Sequence, residues 1–323
     1  MNVIKEIKIS EIKGIKVGHA QDGAGATGCT AIICEKGAWA GVDVRGGAPA
    51  SRETELLKPV NTVEQIHAVV LSGGSAYGLD AASGAMQFLE ERGIGFDVGV
   101  GVVPIVCGAS LFDLVVGDPR SRPDKAMGYA ACKAAGCGDP EEGNVGAGTG
   151  ASVGKLFGTG RMMKSGLGIY AVSAGAVQCA AIVAVNALGD IFDIDTGKQV
   201  AGLLNESKTG LASTALAMYD EISRSRNVFA GNTTLGCIVT NAKLTKNQCN
   251  KLASVAHNGF ARAIRPAHTS ADGDTIFVMA TGEAEAGADG LGELAAEVMA
   301  KAAVRAARAA KPAFGLMAAE DFA

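Results

Sequence analysis

The chain has 323 residues, of which 48% are hydrophobic, 19% are charged and 45 are glycine, and its net charge at pH 7 is −4. The glycine share is roughly twice the ~7% of an average chain, but the apolar content is too high for a disordered or collagen-like protein. A slightly acidic chain without clustered lysine and arginine offers no electrostatic surface for nucleic acid or a membrane, so neither is expected as a partner.

The N-terminus carries no apolar signal segment, and eight cysteines are spread along the chain without a Cys-x-x-Cys pair. We therefore expect buried thiols in a reducing, cytoplasmic setting, with no bound metal and no cofactor. Residues 165–189 form a stretch of 25 uncharged residues. Its glycines and the polar Gln178 and Asn186 favour two buried strands around a turn over a membrane span.

Taken in chain order, the local patterns predict alternating strands and helices. In the first third we expect strands at 12–19, 29–35, 39–44, 66–71 and 102–106, and helices at 76–92 and 124–135. A glycine-rich segment at 143–154 precedes predicted strands at 168–173 and 176–185, a helix at 209–219 and an exposed linker at 221–226. The last third predicts strand 233–240, helix 245–264, strand 275–280 and helix 291–310. This interleaving is typical of a layered α/β or α+β protein.

A polar segment, Gly231-Asn232-Thr233-Thr234, opens the predicted strand at 233. On residue types alone it is an ordinary loop that leads into a strand. Glycine and asparagine tolerate a positive φ, so the segment can also hold the Thr233 hydroxyl at a strained position where the strand begins. A functional site there requires further polar groups from distant parts of the chain.

Six motifs in order resemble the DmpA-type self-processing aminopeptidases, which include D-aminopeptidase/esterases, β-aminopeptidases and nylon-oligomer hydrolases. The resemblance covers nearly the whole chain and lies in the segments 46–54, 71–80, 146–155, 183–190, 231–234 and 270–275. The threonine nucleophile and the Asp-Gly-Asp sequence are most similar to the nylon-oligomer hydrolase branch. The resemblance implies a four-layer αββα sandwich of the DmpA/ornithine-acetyltransferase-like type, formed by residues 1–323 as a single self-processing domain.

The same resemblance implies that the precursor cuts itself between Asn232 and Thr233, giving fragments 1–232 and 233–323 that stay associated. Thr233 then supplies both the nucleophilic hydroxyl and a free α-amine, whose ordinary pKa of ~7.7–8.0 suits a base at neutral pH. The implied activity is hydrolysis of small peptides, amino-acid amides or amino-alkanoate oligomers through an acyl-enzyme on Thr233. The implied assembly is a homotetramer of processed units.

Four further residues are implied as catalytic: Lys155, Asn186, Asp272 and Asp274. The two aspartates are expected to orient the α-amine and to pair with Lys155, whose charge would depress the pKa of that amine. Asn186, an amide in an apolar run, is expected to donate to the oxyanion of the tetrahedral intermediate. Without the resemblance, the aspartates also suit an Asx-type turn and the lysine a solvated surface.

One segment departs from the pattern of some relatives, which place a tyrosine hydroxyl as a second oxyanion donor after the strand predicted at 102–106. Here Phe112 occupies that segment and has no hydroxyl. The oxyanion would then depend on Asn186 or on a backbone N–H. We expect Phe112, Ser75 and Tyr77 to line the substrate pocket. Among the histidines, His268 near Asp272 is the one to test.

Two other functions remain open from the sequence. An acyltransferase of the ornithine acetyltransferase type would pass the acyl group from Thr233 to an amine instead of to water. A non-catalytic binding protein would retain the fold and show no self-cleavage. Product analysis with an amino-acid acceptor separates the first from hydrolysis, and labelling with an electrophile directed at N-terminal threonine tests the second.

Overall fold

A computed structural model describes residues 4–136, 138–222 and 231–322 of the protein. The α-helices in these ranges are α1 Ala81–Glu90, α2 Lys125–Ala134, α3 Thr214–Glu221, α4 Lys246–Ala263 and α5 Ala288–Ala309. The strands are β1 Ile4–Ile7, β2 Lys16–Asp22, β3 Thr27–Val44, β4 Ser51–Arg52, β5 Gln65–Ser72, β6 Phe96–Asp97, β7 Val102–Val103, β8 Val106–Ser110, β9 Ser152–Val153, β10 Met163–Lys164, β11 Leu167–Ala174, β12 Val177–Asn186, β13 Asp190–Phe192, β14 Gln199–Ala201, β15 Thr233–Ala242, β16 Ile264–Arg265 and β17 Thr275–Ala284. Cys137 and residues 223–226 of the predicted linker lie outside the described residues.

The largest sheet turns back on itself through one long strand. Its strands follow the order β1-β11-β12-β15-β17-β3-β5-β8-β4, and β2 pairs with β3. The first half of β3 pairs with β2 and β5, whereas its second half pairs with β17 and keeps β5 as a partner only at Ala38 and Trp39. A register shift between Ile33 and Ala38, with Gly37 at φ +82°, separates the halves. The 18-residue strand β3 thus belongs to both sheet layers.

Three apolar clusters separate four layers. The cluster between the two sheet layers includes Val69 and Phe277. Their neighbours in sequence point the opposite way, as pleating requires: Val70 packs with α1 and α2, and Val278 packs with α4 and α5. The order is therefore helices, sheet, sheet, helices, which confirms the predicted four-layer αββα sandwich.

Part of the glycine excess lies where α1 crosses α2. A Cβ added at Gly84 would lie 1.9 Å from the Lys125 carbonyl oxygen, and one at Gly128 would lie 1.8 Å from the Ala81 carbonyl oxygen. Such distances are far below van der Waals contact, so only glycine lets these two helices approach so closely.

The elements of the last third agree with the prediction, since β15, α4, β17 and α5 all lie where the patterns placed them. The strand predicted at 102–106 is wrong as one element, because β7 ends before Pro104 and β8 begins after it. Proline cannot donate a ladder hydrogen bond. The strands predicted at 29–35 and 39–44 are both parts of β3.

The uncharged stretch 165–189 contains β11 and β12, which pair antiparallel around a turn and confirm the interpretation as buried strands. Within the described ranges, none of the helices combines the length and apolar character needed to cross a membrane. The seven cysteines of the described part are buried and unpaired with one another.

Candidate active site

The ends of three neighbouring strands bring the predicted catalytic residues together. β12 runs antiparallel to β15, which places Asn186 opposite Thr233. β17 runs parallel to β15, so both strands begin at the same end of the sheet. There the backbone of Asp272, which precedes β17, pairs with that of Asn232 in an isolated β-bridge. All of the predicted catalytic and cleavage residues are at most 3% exposed: Lys155, Asn186, Asn232, Thr233, Asp272 and Asp274.

The Thr233 hydroxyl contacts the carbonyl oxygen of the residue before it, Asn232. The same carbonyl oxygen accepts a hydrogen bond from the Gly273 backbone N–H at 2.9 Å. A Cβ on Gly273 would lie 2.7 Å from Thr233 Oγ1 and 2.8 Å from the Ala48 carbonyl oxygen. The absence of a side chain at Gly273 therefore leaves room for the Thr233 hydroxyl, while the Gly273 N–H donates to the Asn232 carbonyl.

Asp274 is held by three N–H groups. Its Oδ1 accepts from the backbone of Thr234 at 2.7 Å. Its Oδ2 accepts from the backbone of His268 at 3.0 Å and from His268 Nδ1 at 2.8 Å. This carboxylate consequently links the loop before β17 to the first residues of β15.

Asp272 has a different environment from its neighbour two residues on. Its Oδ2 accepts from the backbone N–H of Thr269 at 2.8 Å and from the Thr269 hydroxyl at 2.5 Å. Burial, reinforced by the nearby Asp274 carboxylate, raises the pKa of Asp272 to about 6. The pair thus joins two carboxyl groups whose surroundings differ, as acid–base sites commonly do.

Lys155 reaches the site from the glycine-rich segment, which runs beside the end of β12. The Lys155 backbone N–H donates to the Leu188 carbonyl at 3.1 Å. Its Nζ donates to Asn186 Oδ1 at 2.5 Å and to the Asn186 carbonyl at 3.1 Å. Burial lowers the pKa of Lys155 to about 7, against the opposing effect of the Asp272 and Asp113 charges. An amine with this pKa can take up or release a proton near neutral pH.

Both polar atoms of the Asn186 side chain form hydrogen bonds within the site. Its Oδ1 accepts from Lys155 and from the Ser152 backbone N–H at 3.1 Å, and its Nδ2 donates to the Phe112 carbonyl at 2.8 Å. The donor on the Asn232 carbonyl is therefore the Gly273 N–H. Since an amide nitrogen carries two N–H groups, an oxyanion role for Asn186 is compatible with its bond to Phe112.

Of the three expected pocket residues, Phe112 lies against the residue before Asn232. A Cβ on Gly231 would be only 2.4 Å from Phe112 Cγ. Ser75 contacts the residue before Phe112, since its backbone N–H donates to the Leu111 carbonyl at 2.9 Å. Tyr77 is 63% exposed and has the Arg122 guanidinium 3.9 Å above its ring, so it is not part of the buried cluster.

Two buried charged residues near the site escaped the sequence reasoning. Lys164 is 0% exposed, and its Nζ donates to the carbonyls of Gly148 and Ala151 at 2.9 and 3.0 Å. Burial lowers its pKa to about 7. Asp113 accepts from the Thr27 hydroxyl and the Gly74 N–H, both at 2.7 Å, and burial raises its pKa. The sequence gives one indication that Lys164 is buried: it directly precedes the uncharged residues 165–189.

Known proteins resemble this chain over most of its length. The model of peptidase family S58 matches residues 8–320. An uncharacterized aminopeptidase of Mycobacterium leprae is 42% identical over 296 residues, which cover 86% of this chain and 79% of that protein. A 6-aminohexanoate-oligomer endohydrolase of Kocuria sp. strain KY2 is 33% identical over 314 residues, which cover 92% and 85%.

Two solved structures share the fold. The L-aminopeptidase D-Ala-esterase/amidase of Ochrobactrum anthropi, described as a variant of the Ntn hydrolase fold, superposes with a TM-score of 0.73 at 17% identity, covering 98% of this chain and 92% of that one. A β-aminopeptidase of Burkholderia sp. gives a TM-score of 0.67 at 20% identity, covering 94% and 86%. These identities establish the fold alone. The family match and the sequence relatives confirm the DmpA-type resemblance, and the chain belongs to peptidase family S58.

Proposed function

We propose that this protein is a self-processing N-terminal-threonine hydrolase that cleaves amide bonds in small peptides, amino-acid amides or amino-alkanoate oligomers. The contact of the Thr233 hydroxyl with the Asn232 carbonyl, itself held by the Gly273 N–H, carries the proposal. The names of the relatives, an aminopeptidase and an oligomer endohydrolase, support amide hydrolysis.

Self-cleavage begins with attack of Thr233 Oγ1 on the Asn232 carbonyl carbon, while its proton passes to a neighbouring base. The buried Lys155 amine, hydrogen-bonded to the Asn186 that lies opposite Thr233, suits that role because its pKa is about 7. The Gly273 N–H stabilises the oxyanion that forms. The C–N bond to Thr233 then breaks as its nitrogen is protonated, which frees the α-amine and leaves an ester between Asn232 and Thr233 Oγ1. Water hydrolyses this ester to the Asn232 carboxylate and the Thr233 hydroxyl.

In the processed protein, a substrate carbonyl takes the place that the Asn232 carbonyl held. Thr233 Oγ1 attacks this carbonyl with its own α-amine as base, and the substrate C–N bond breaks as that proton passes to the leaving amine. The acyl-enzyme that remains is hydrolysed by water, which releases the acid. Asp274 contacts the N–H next along the strand, so it is suited to orient this amine.

The test is to purify the full-length chain and follow it by intact mass and by turnover of aminoacyl p-nitroanilides and short linear amino-alkanoate oligomers. We expect two fragments, 1–232 and 233–323, together with amide hydrolysis. A chain that stays whole and yet hydrolyses these amides would contradict the proposal. Transfer of the acyl group to an added amino acid in preference to water would favour the acyltransferase alternative.

The Gly231–Phe112 contact gives a second expectation. A Gly231→Ala chain should cut itself about 5- to 150-fold more slowly, because overpacking by one methyl group costs about 1–3 kcal/mol. The double variant Gly231→Ala/Phe112→Ala lacks the ring that the added methyl group would meet. It should therefore cut itself at a rate within about threefold of the single variant Phe112→Ala. Gel time courses measure these rates. Equal slowing by Gly231→Ala with and without the ring would show that the contact is not the cause.

The two buried lysines predict a pH dependence of stability. Each has a folded-state pKa of about 7, below the ordinary value of 10.5. Between these values the unfolded chain binds more protons than the folded one, so stability rises with pH, by up to about 1.4 kcal/mol per pH unit for each lysine.

Urea unfolding of an uncut Thr233→Ala chain between about pH 6.5 and 7.5 measures this slope, because unfolded thiols, with an ordinary pKa of ~8.5, are still mostly protonated there. Adding Lys164→Met should lower the slope by the share of that lysine, up to about 1.4 kcal/mol per pH unit, whatever it does to the absolute stability. An unchanged slope would mean that Lys164 is protonated throughout this range.

A further inference from the structure

His268 lies behind the aspartate pair and takes no part in the bond changes proposed above. Two of its groups converge on a single oxygen, Asp274 Oδ2: the backbone N–H at 3.0 Å and the ring Nδ1 at 2.8 Å. Its backbone has a φ of +56°, a conformation that residues with a side chain rarely adopt. This conformation lets the backbone and the ring of one residue donate to the same carboxylate oxygen.

The other oxygen of Asp274 faces the strand that carries the nucleophile. Oδ1 accepts the Thr234 N–H at 2.7 Å, one residue after Thr233. Because a carboxylate is planar and rigid, fixing Oδ2 also fixes the direction of Oδ1. His268 is thus connected to the start of β15 through one side chain.

The surroundings of the ring favour this donor arrangement. His268 packs edge-on against His257, with ring centroids 4.7 Å apart, and its side chain is only 19% exposed. In the described part of the chain, His268 Nε2 is buried and has no hydrogen-bond partner. A hydrogen on Nε2 would therefore have no acceptor there, whereas one on Nδ1 meets Asp274.

We propose that His268 is a positioning residue that, through Nδ1 and its backbone N–H, holds the Asp274 carboxylate beside the reacting end of β15. The inference rests on the proposed function, because its effect is on Thr233. It follows the general logic in which a third group orients the base that serves a nucleophile. His268 itself contacts neither the cleaved bond nor a substrate carbonyl.

The experiment uses three variants of the full-length chain that keep the backbone conformation, since glycine, asparagine and aspartate all tolerate positive φ. His268→Asn places an amide nitrogen where Nδ1 lies, and it therefore keeps the donor. His268→Gly removes it, and His268→Asp replaces it with an acceptor of the same shape as asparagine. His67→Asn is the matched control, because His67 is a buried histidine whose Nδ1 accepts from the Ile105 backbone.

We expect His268→Gly and His268→Asp to cut themselves about 10- to 100-fold more slowly, and their processed forms to lose kcat with KM changed less than about twofold. His268→Asn should recover to within about threefold of the wild type, and His67→Asn should match it. Thermal midpoints of all variants are recorded alongside. If the glycine variant does not fold, the comparison of asparagine with aspartate decides.

Three results would overturn the inference. One is unchanged cutting by the glycine or the aspartate variant, and another is equal slowing by the asparagine and aspartate variants. The third is a wild-type chain that is never cut, which overturns the proposed function as well. The first two leave the proposed function intact, so the two failures are distinguishable.

Discussion

A Thr233→Ala chain is expected to remain whole and to lose amide hydrolysis. The substitution removes the hydroxyl that contacts the Asn232 carbonyl and leaves the Gly273 N–H on that carbonyl in place. Loss of a hydroxyl nucleophile typically costs on the order of 10⁶ in kcat. Intact mass after prolonged incubation, together with p-nitroanilide turnover, measures both effects.

Two neighbouring variants control for this result. Thr233→Ser keeps a hydroxyl and should still be cut. Thr234→Ala removes a buried hydroxyl one residue on but keeps the N–H that Asp274 accepts, so it should be cut normally. A Thr233→Ala chain that is still cut between residues 232 and 233 would remove Thr233 from the mechanism.

A Lys155→Met chain should cut itself about 100- to 1,000-fold more slowly than the wild type. Methionine retains most of the volume but cannot accept the proton of the Thr233 hydroxyl, and general-base catalysis typically contributes 10²–10⁴-fold. It also removes both hydrogen bonds to Asn186. Gel time courses of freshly produced precursor measure the rate.

Lys246→Met is the matched control. Lys246 is also buried, at 3% exposed, and its Nζ donates to the Asn61 and Val63 carbonyls, both at 2.8 Å. Its substitution should lower stability without slowing the cut. The wild-type rate should rise with pH up to about 7, where Lys155 loses its proton, and then level off. Equal slowing by both methionine variants would point to a general loss of structure.

Much of the fold could be predicted from local patterns, because elements such as α4 and β17 carry clear periodicity or β-branched runs. The strands predicted at 29–35 and 39–44 form one strand, β3, which local patterns do not indicate. Gly37 lies between them, but the pairing of β3 with β5 continues past it with a shift in register. Pro104 divides the strand predicted at 102–106, because a proline cannot donate a ladder hydrogen bond.

The residues at the candidate site were predictable in identity but not in all their contacts. The order of the motifs pointed to Thr233 and the two aspartates. No local pattern indicates that the Gly273 N–H meets the Asn232 carbonyl, because that contact depends on the pairing of distant strands. Burial of Lys164 is equally a property of the packed loops around it, and charged residues are rarely buried completely.

The position of β15 and β17 has a consequence for how the protein recovers from unfolding. Both follow residue 232, yet they lie between β12 and β3, joined by eight register pairs on one side and six on the other. A cut at residue 232 preserves these hydrogen bonds, so dilution does not separate the pieces. Refolding, however, changes from a unimolecular to a bimolecular process that slows at low concentration. At low concentration, denaturation of the cut protein would therefore become practically irreversible.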